Sequence, residues 1–308
     1  MQNFAGLLLG IGLFLFGIEM MQETAESLYS EKMKNVIGSL TGSRIKAAMT
    51  GAAVTGVIQS SCATTVMTLG FIASGMMTLE SAVGVIMGAN IGTTVTSLLL
   101  SFHISSLAPF AVFLGAFIRL FSKSGKSRIV SIFLVAFGLM FGSMSIMESS
   151  MNHFSGDVGR LIGDGLGKGK SLILGFLVTA VMQSSSATVG ILQTAAKAGL
   201  VTTADAVFMI FGQNIGAVVP TLLASLGSDK KGKQAAVIHL LFNLIGTALF
   251  VLISLFTPYC GLLDKIADPK MRISTAHIVF NVVSTFVLLP FSKVLVSISD
   301  KAVSRNSP

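Results

Sequence analysis

A polar motif that occurs twice inside long apolar runs constrains this chain most strongly. Gln59-Ser60-Ser61 and Gln183-Ser184-Ser185 lie 124 residues apart, and each falls near the middle of a hydrophobic segment. Polar groups without partners in hydrocarbon are destabilised by several kcal/mol. Because the chain accepts this cost at two matching positions, the motifs predict a polar site deep inside a membrane protein.

The composition supports an integral membrane protein with an all-α fold. Of the 308 residues, 52% are hydrophobic and 11% are charged, whereas a soluble domain carries about 25% charged residues. The apolar runs are long enough for helices and lack the alternation of barrel strands. The net charge of +8 lies in short loops between these runs, so it does not predict nucleic-acid binding. Residues 4–22 are expected to form a retained transmembrane helix.

An internal repeat organises the chain. Residues 51–101 align without a gap with residues 175–225, and 22 of the 51 positions are identical. The identities concentrate on polar residues and glycines. The alignment predicts two repeat units, at 1–124 and 125–257, followed by an extra transmembrane helix and tail at 258–308.

Each unit is predicted to contain a re-entrant helical hairpin and a broken helix. A straight helix over 47–73 would overshoot the membrane core of about 30 Å, so a hairpin with its tip at the Gln-Ser-Ser motif is favoured. Glycines flank an asparagine in Gly88–Thr94 and again in Gly212–Gly216, which predicts discontinuous helices. With hairpins that do not cross, the chain crosses seven times and the two units are inverted.

Positive charge predicts the orientation of the chain. Fourteen Lys and Arg residues fall on one predicted side and seven on the other. The richer side belongs in the cytoplasm. The C-terminus is therefore expected inside and the N-terminus outside a cell membrane.

The paired motifs resemble those of the type II sodium–phosphate cotransporter family. The matching segments are Gln59–Ser61, Gln183–Ser186, Gly88–Thr93 and Gly212–Gly216, and His239–Asn243 matches a further family pattern. The resemblance implies a secondary active transporter that moves inorganic phosphate with sodium by alternating access. Cys62 replaces the third serine of the first motif, and Ala217–Val219 replaces a hydroxyl-rich stretch, which leaves the ion stoichiometry open.

Hydroxyls, amides and exposed backbone N–H groups suit an anion, and oxygens suit sodium, a hard cation. No Lys or Arg lies within residues 47–101, so bound sodium could supply the positive charge. The predicted phosphate-binding residues are Gln59, Ser60, Ser61, Gln183, Ser184, Ser185 and Ser186. The predicted sodium-binding residues are Gln59, Asn90, Thr93, Thr94, Gln183 and Asn214. Sodium is the only cofactor expected, with no organic cofactor.

Several alternatives remain open at this point. The serines could bond to their own backbone, and the asparagines could cap broken helices. The motif His-x-x-Phe-Asn occurs at His239 and His277, and interhelical hydrogen bonding explains it better than a ligand role. Another small anion, another coupling ion or an anion channel would also fit. An enzyme is disfavoured because no catalytic constellation is evident. A homo-oligomer remains open.

Overall fold

The structure is a computed structural model that describes residues 2–27, 43–102, 104–121, 124–153 and 165–304. Within these ranges the chain forms helices and no strands, as the sequence predicts. The helices are α1 (Gln2–Ser27), α2 (Arg44–Ile58), α3 (Ser61–Ala73), α4 (Leu79–Ser101), α5 (Ala108–Phe121), α6 (Gly125–Asn152), α7 (Lys168–Met182), α8 (Ser185–Lys197), α9 (Thr203–Gly216), α10 (Val219–Ser225), α11 (Lys230–Phe256), α12 (Tyr259–Asp264), α13 (Pro269–Leu288) and α14 (Ser292–Ser304).

Six apolar helical segments are long enough to span a membrane, which confirms a multi-pass helical protein. They cover Asn3–Ala25, Leu79–Ser101, Gly125–Asn152, Thr203–Ser225, Lys230–Phe256 and Pro269–Ser304. The seventh predicted crossing falls on α5, which has 14 residues and a length of about 21 Å. The count of seven, and the orientation of the units in a membrane, remain predictions. Segments 28–42 and 154–164, which carry some of the basic residues counted for orientation, lie outside the described ranges.

The chain bends sharply at both Gln-Ser-Ser motifs. Along a straight helix, Thr55 and Thr64 would lie about 13 Å apart. Their hydroxyls instead form a hydrogen bond of 2.9 Å. In the second unit, Thr179 and Thr188 form the equivalent bond at 3.0 Å. Each motif is therefore the tip of a helix–turn–helix, with α2 and α3 as arms in the first unit and α7 and α8 in the second.

Repeated glycines explain how the hairpin arms pack. A Cβ atom on Gly88 of α4 would overlap the carbonyl oxygen of Ala48 on α2. A Cβ atom on Gly212 of α9 would overlap the carbonyl oxygen of Leu172 on α7 in the same way. Both pairs are related by the 124-residue offset. Small residues let helix backbones approach closely within membranes, so the repeat conserves a backbone-to-backbone contact.

The predicted break at Gly88–Thr94 is wrong. The helix α4 runs without interruption from Leu79 to Ser101. The polar side chains that suggested a break instead bond within the helix, as Asn90 Nδ2 does to the Ile86 carbonyl at 2.9 Å. The glycines serve close packing rather than a turn.

The second unit does contain a discontinuity. The helix α9 ends at Gly216, and α10 begins at Val219 with Pro220 in its first turn. Proline has no N–H to bond the carbonyl four residues before it, so an α-helix cannot continue regularly through this position. The break thus lies at Ala217–Val218, just after the predicted segment.

The two helices that carry His-x-x-Phe-Asn make equivalent contacts, one to each unit. On α11, Thr247 Oγ1 donates to the carbonyl of Phe211 at 3.2 Å. On α13, Thr285 Oγ1 donates to the carbonyl of Met87 at 3.2 Å. Met87 and Phe211 are equivalent positions of the repeat. The helix that the sequence assigned to an extra C-terminal segment therefore packs on α4 as α11 packs on α9.

Candidate functional site

The two Gln-Ser-Ser motifs meet at one cavity. Its described lining consists of Gln22, Gln59, Ser60, Ser61, Cys62, Gln183, Ser184, Ser185, Ser186 and Ala217. The volume is about 40 Å³, enough for about three or four water-sized groups at about 10–15 Å³ each. All seven residues predicted to bind phosphate line this cavity, although the two motifs are far apart in the sequence.

A serine caps the second arm of each hairpin. Ser60 Oγ accepts a hydrogen bond from the Ala63 N–H at 3.1 Å. Ser184 Oγ accepts one from the Ala187 N–H at 3.3 Å. A serine at this position satisfies one of the unpaired N–H groups that begin a helix. Because the hydroxyl acts as acceptor in this contact, its own O–H remains able to donate to an anion.

The helix starts present unpaired N–H groups at the cavity. The helices α3 and α8 begin at Ser61 and Ser185, and both residues line the cavity. The first N–H groups of a helix lack intrahelical partners, and the N-terminus carries a partial positive charge of about 0.5. Among the described lining residues, none carries a formal charge. The cavity thus offers neutral hydrogen-bond donors, among them the first N–H groups of two helices.

The glutamines set the geometry of the tips. In the part of the chain that the structure describes, Gln59 and Gln183 are the two residues other than glycine with positive φ, at 60° and 53°. Each ends the first arm of its hairpin through a backbone bond, to Thr55 and Thr179 respectively. A left-handed conformation at such a residue costs on the order of 1–3 kcal/mol, and this strain clusters at functional sites.

One cavity residue, Gln22, was missed by the sequence analysis. It lies on α1, and its Nε2 donates to the backbone carbonyl of Gln59 at 3.2 Å. When Glu23 is aligned with Glu148, the position equivalent to Gln22 is Met147. The repeat therefore gave no signal for this residue. Its polar side chain lies between Glu19 and Glu23 near the end of α1 and was not distinctive in the sequence.

The predicted sodium ligands fall into two groups. Gln59 and Gln183 line the cavity, whereas four buried residues lie elsewhere: Asn90, Thr93, Thr94 and Asn214. Each of the four donates to a carbonyl of its own helix, at distances of 2.7–3.2 Å. The interpretation of the asparagines as helix caps is wrong, because both lie inside continuous helices. Their donor bonds leave the side-chain oxygens available as acceptors.

The first His-x-x-Phe-Asn histidine makes contacts between helices, in line with the bonding expected from the sequence. Its Nε2 lies 3.4 Å from Asn90 Nδ2, and its Nδ1 lies 3.3 Å from Thr221 Oγ1. His239 thereby joins α4 of the first unit to α10 of the second. In each copy of the motif, the asparagine donates to the carbonyl of its own histidine.

Apolar helices long enough to span a membrane, with a neutral polar cavity between two hairpin tips, define a multi-pass helical membrane protein. The chain belongs to the Na+/Pi-cotransporter family, whose sequence model matches residues 13–149 and again residues 156–293. The double match agrees with the internal repeat. The family is one of transporters, so the protein is not an enzyme.

Similar proteins occur in bacteria and in humans. The chain is 26% identical to the uncharacterized protein YqeW of Bacillus subtilis over 91% of each chain. It is 23% identical to the putative inorganic phosphate export protein YjbB of Salmonella typhimurium, over 98% of this chain and 56% of that protein. Human sodium-dependent phosphate transport protein 2B is 24% identical over 44% of this chain and 20% of its own length. The chain thus spans about half of the phosphate-export relative, and no solved structure matches it.

Proposed function

We propose that this protein is a secondary active transporter that moves inorganic phosphate across the cell membrane together with sodium. The observation that carries the proposal is the convergence of two motifs, 124 residues apart, on one cavity of neutral hydrogen-bond donors. The names of its relatives, which refer to phosphate export and to sodium-dependent phosphate transport, support the same substrate and coupling ion.

The electrostatics favour a cation-coupled anion. Phosphate at neutral pH carries between one and two negative charges, and the partial positive charges at the starts of α3 and α8 are offset by the partial negative charges at the ends of α2 and α7 beside them. Among the described lining residues, no Lys or Arg supplies the balancing positive charge. Sodium would supply it and would leave with the substrate, so that release is not opposed by a fixed cation. Oxygens of Gln59, Gln183, Asn90, Thr93, Thr94 and Asn214 are the proposed sodium ligands.

The repeat suggests how access alternates. In transporters with inverted repeats, one unit rocks against the other around a site at their interface. Here each unit contributes one hairpin tip to the cavity, so a relative movement of the units would open it to one side or the other. The C-terminus is proposed to face the cytoplasm, and the sodium gradient would set the direction of net flux.

Transport in proteoliposomes tests the proposal. Labelled phosphate should enter vesicles faster with an inward sodium gradient than with potassium at equal ionic strength, and the rate should saturate with phosphate. Sulfate at equal concentration should compete weakly. Flux that is independent of sodium and does not saturate would identify an anion channel instead. Preferential transport of sulfate or of a carboxylate would show that this anion, rather than phosphate, is the substrate.

A further inference from the structure

A second polar cavity lies where α4 and α6 end and α13 begins. Its volume is about 360 Å³, much larger than that of the hairpin cavity, so it has room for a small solute together with water. The polar residues of its described lining are Ser105, Ser145, Glu148, Ser149, Asn152 and Lys270. Four of the six follow the spacing of one face of α6.

This cavity is separate from the hairpin cavity. The helices α1 and α6 pack antiparallel, with Gly17 against Met140. Gln22, which lines the hairpin cavity, is five residues beyond Gly17 in one direction, whereas Glu148 is eight residues beyond Met140 in the other. At 1.5 Å per residue the two positions are about 20 Å apart along the helix axes. The second cavity is therefore nearer to one end of the molecule.

Lys270 is the unusual member of this lining. It exposes only 9% of its side chain, although lysine is rarely buried without a close partner. Its Nζ lies 3.6 Å from Glu148 Oε2, which is longer than a hydrogen bond. Lys270 is also the second residue of α13, and the start of a helix disfavours a positive charge. The protein thus stabilises this ammonium only in part, and its three N–H groups can donate to an anion in the cavity.

The buried lysine has no counterpart in the repeat. When His239 is aligned with His277, the position equivalent to Lys270 is Gly232. Glu148 does have a counterpart, Glu23, which is exposed. Packing at the equivalent place therefore does not require a buried lysine, and its burial beside the second cavity calls for a reason of its own.

Glu148 determines which anion suits the cavity. A carboxylate repels an anion that carries no proton, but it accepts a hydrogen bond from an anion that carries one. Inorganic phosphate retains at least one proton at neutral pH, whereas sulfate and the phosphodiester of a lipid headgroup retain none. Lys270 and Glu148 together offer donors to the bare oxygens of phosphate and an acceptor to its P–OH group.

We propose that this cavity is a second binding site for inorganic phosphate, in which Lys270 and the hydroxyls of Ser145 and Ser149 donate to the anion and Glu148 accepts from its P–OH group. The inference rests on the proposed function, which supplies phosphate as the substrate. Because Lys270 is a fixed cation, this site binds phosphate without sodium, whereas the hairpin cavity as proposed requires sodium. Phosphate held here is concentrated at one end of the molecule, on its way to or from the hairpin cavity.

Binding of labelled phosphate to the purified full chain in choline chloride, without sodium, tests the site. Binding should saturate, and Lys270→Gln should raise the half-saturating phosphate concentration at least about tenfold, because it removes a hydrogen bond between two charged groups. Lys270→Arg keeps the charge and should retain binding. Sulfate should compete at least about tenfold less well than phosphate. Glu148→Gln removes the repulsion of the carboxylate and should reduce this difference.

Lys170 provides a control of equal charge. It lies in the first turn of α7, is exposed and is not among the described residues that line the cavity. Lys170→Gln should bind phosphate as the unmodified chain does. If loss of one partner of the buried pair prevents folding, the double variant Lys270→Gln/Glu148→Gln removes both charges and should also lose the binding. Unchanged binding in the folded Lys270→Gln or double variant, or an equal loss in Lys170→Gln, overturns the site.

Three further outcomes separate this site from its alternatives. If phosphatidylglycerol raises the melting temperature only when Lys270 is present, and inorganic phosphate does not bind, the cavity holds a lipid headgroup and the proposed site is wrong. Sodium-independent binding that requires Lys270, in a protein that does not carry phosphate with sodium, would support the site and reject the proposed function. Sodium-driven phosphate uptake without any sodium-independent binding would reject the site and leave the proposed function intact.

Discussion

Ser60 and Ser184, 124 residues apart in the sequence, cap two different helices whose first turns line the same cavity. Each serine makes a local hydrogen bond and also takes part in a contact between segments that are far apart in the sequence. Each serine begins a helix through its own side chain, and the packing of the two units then brings the helix starts together. The same residue therefore serves local folding and, in the function we propose, anion binding.

Replacing either serine should weaken phosphate binding. A hydrogen bond to a charged group contributes about 1.5–3 kcal/mol, so Ser60→Ala and Ser184→Ala should each lower phosphate affinity roughly ten- to a hundredfold. Initial uptake rates as a function of phosphate, at saturating sodium, measure the effect. Wild-type kinetics in both variants would exclude the paired serines as ligands.

Loss of the helix cap needs its own control, because it costs about 1 kcal/mol of stability by itself. Thr78 caps α4 through the Ser81 N–H and is not among the described residues of the cavity. Thr78→Ala should lower the melting temperature to a similar extent while keeping phosphate affinity. An equal loss of affinity in this variant would mean that the serines act through stability alone.

Substituting Gln22 should lower phosphate affinity less than substituting Ser60 or Ser184. Gln22→Met installs the residue of the equivalent position and removes the hydrogen bond to the Gln59 carbonyl. A neutral hydrogen bond contributes about 0.5–1.5 kcal/mol, so phosphate affinity should fall between about twofold and tenfold through a less well-held tip. The same uptake assay measures the change. A loss as large as that of Ser184→Ala would indicate that Gln22 contacts phosphate directly.

The repeated glycines should be needed for packing. Gly88→Ala and Gly212→Ala each force a methyl group into a facing carbonyl, and overpacking typically costs about 1–3 kcal/mol. Both should lower the melting temperature in detergent. Gly70 on α3 has open space at its Cβ position, so Gly70→Ala should be neutral or stabilising by up to about 1 kcal/mol. Equal melting temperatures for all three would contradict the close helix contacts.

The composition and the repeat were sufficient to predict the helical class, the turns at the two Gln-Ser-Ser motifs and the seven motif residues that line the cavity. The break in α4 was predicted wrongly because glycine permits both a turn and a close helix contact, and local sequence does not distinguish them. Pro220 fixes the break in the second unit because it removes a backbone donor. Gln22 has an apolar counterpart, Met147, so a search for paired residues could not find it.

Substitution of Thr93 tests the sodium ligands proposed in the first unit. Its hydroxyl donates to the Ala89 carbonyl at 3.2 Å, which leaves the oxygen available to a cation. Thr93→Val keeps the shape and removes this oxygen, so the sodium concentration for half-maximal phosphate uptake should rise. Phosphate affinity at saturating sodium should change much less, because linkage acts only while sodium is limiting. If sodium activation is unchanged in Thr93→Val, Asn90→Ala and Gln59→Ala alike, these side chains of the first unit do not bind sodium.

The two motif histidines should respond differently to the same substitution. His239 contacts Asn90 and Thr221, so His239→Phe should remove the contact to Thr221 and leave the Asn90 amide with only its bond to Ile86, at a cost of about 1–3 kcal/mol. His277 Nδ1 has no partner among the described residues, so His277→Phe removes an unsatisfied group and should cost less. Melting temperatures of the two variants in detergent, without sodium or phosphate, give the comparison. A larger fall in melting temperature for His277→Phe would show that the contacts of His239 with Asn90 and Thr221 do not stabilise the fold.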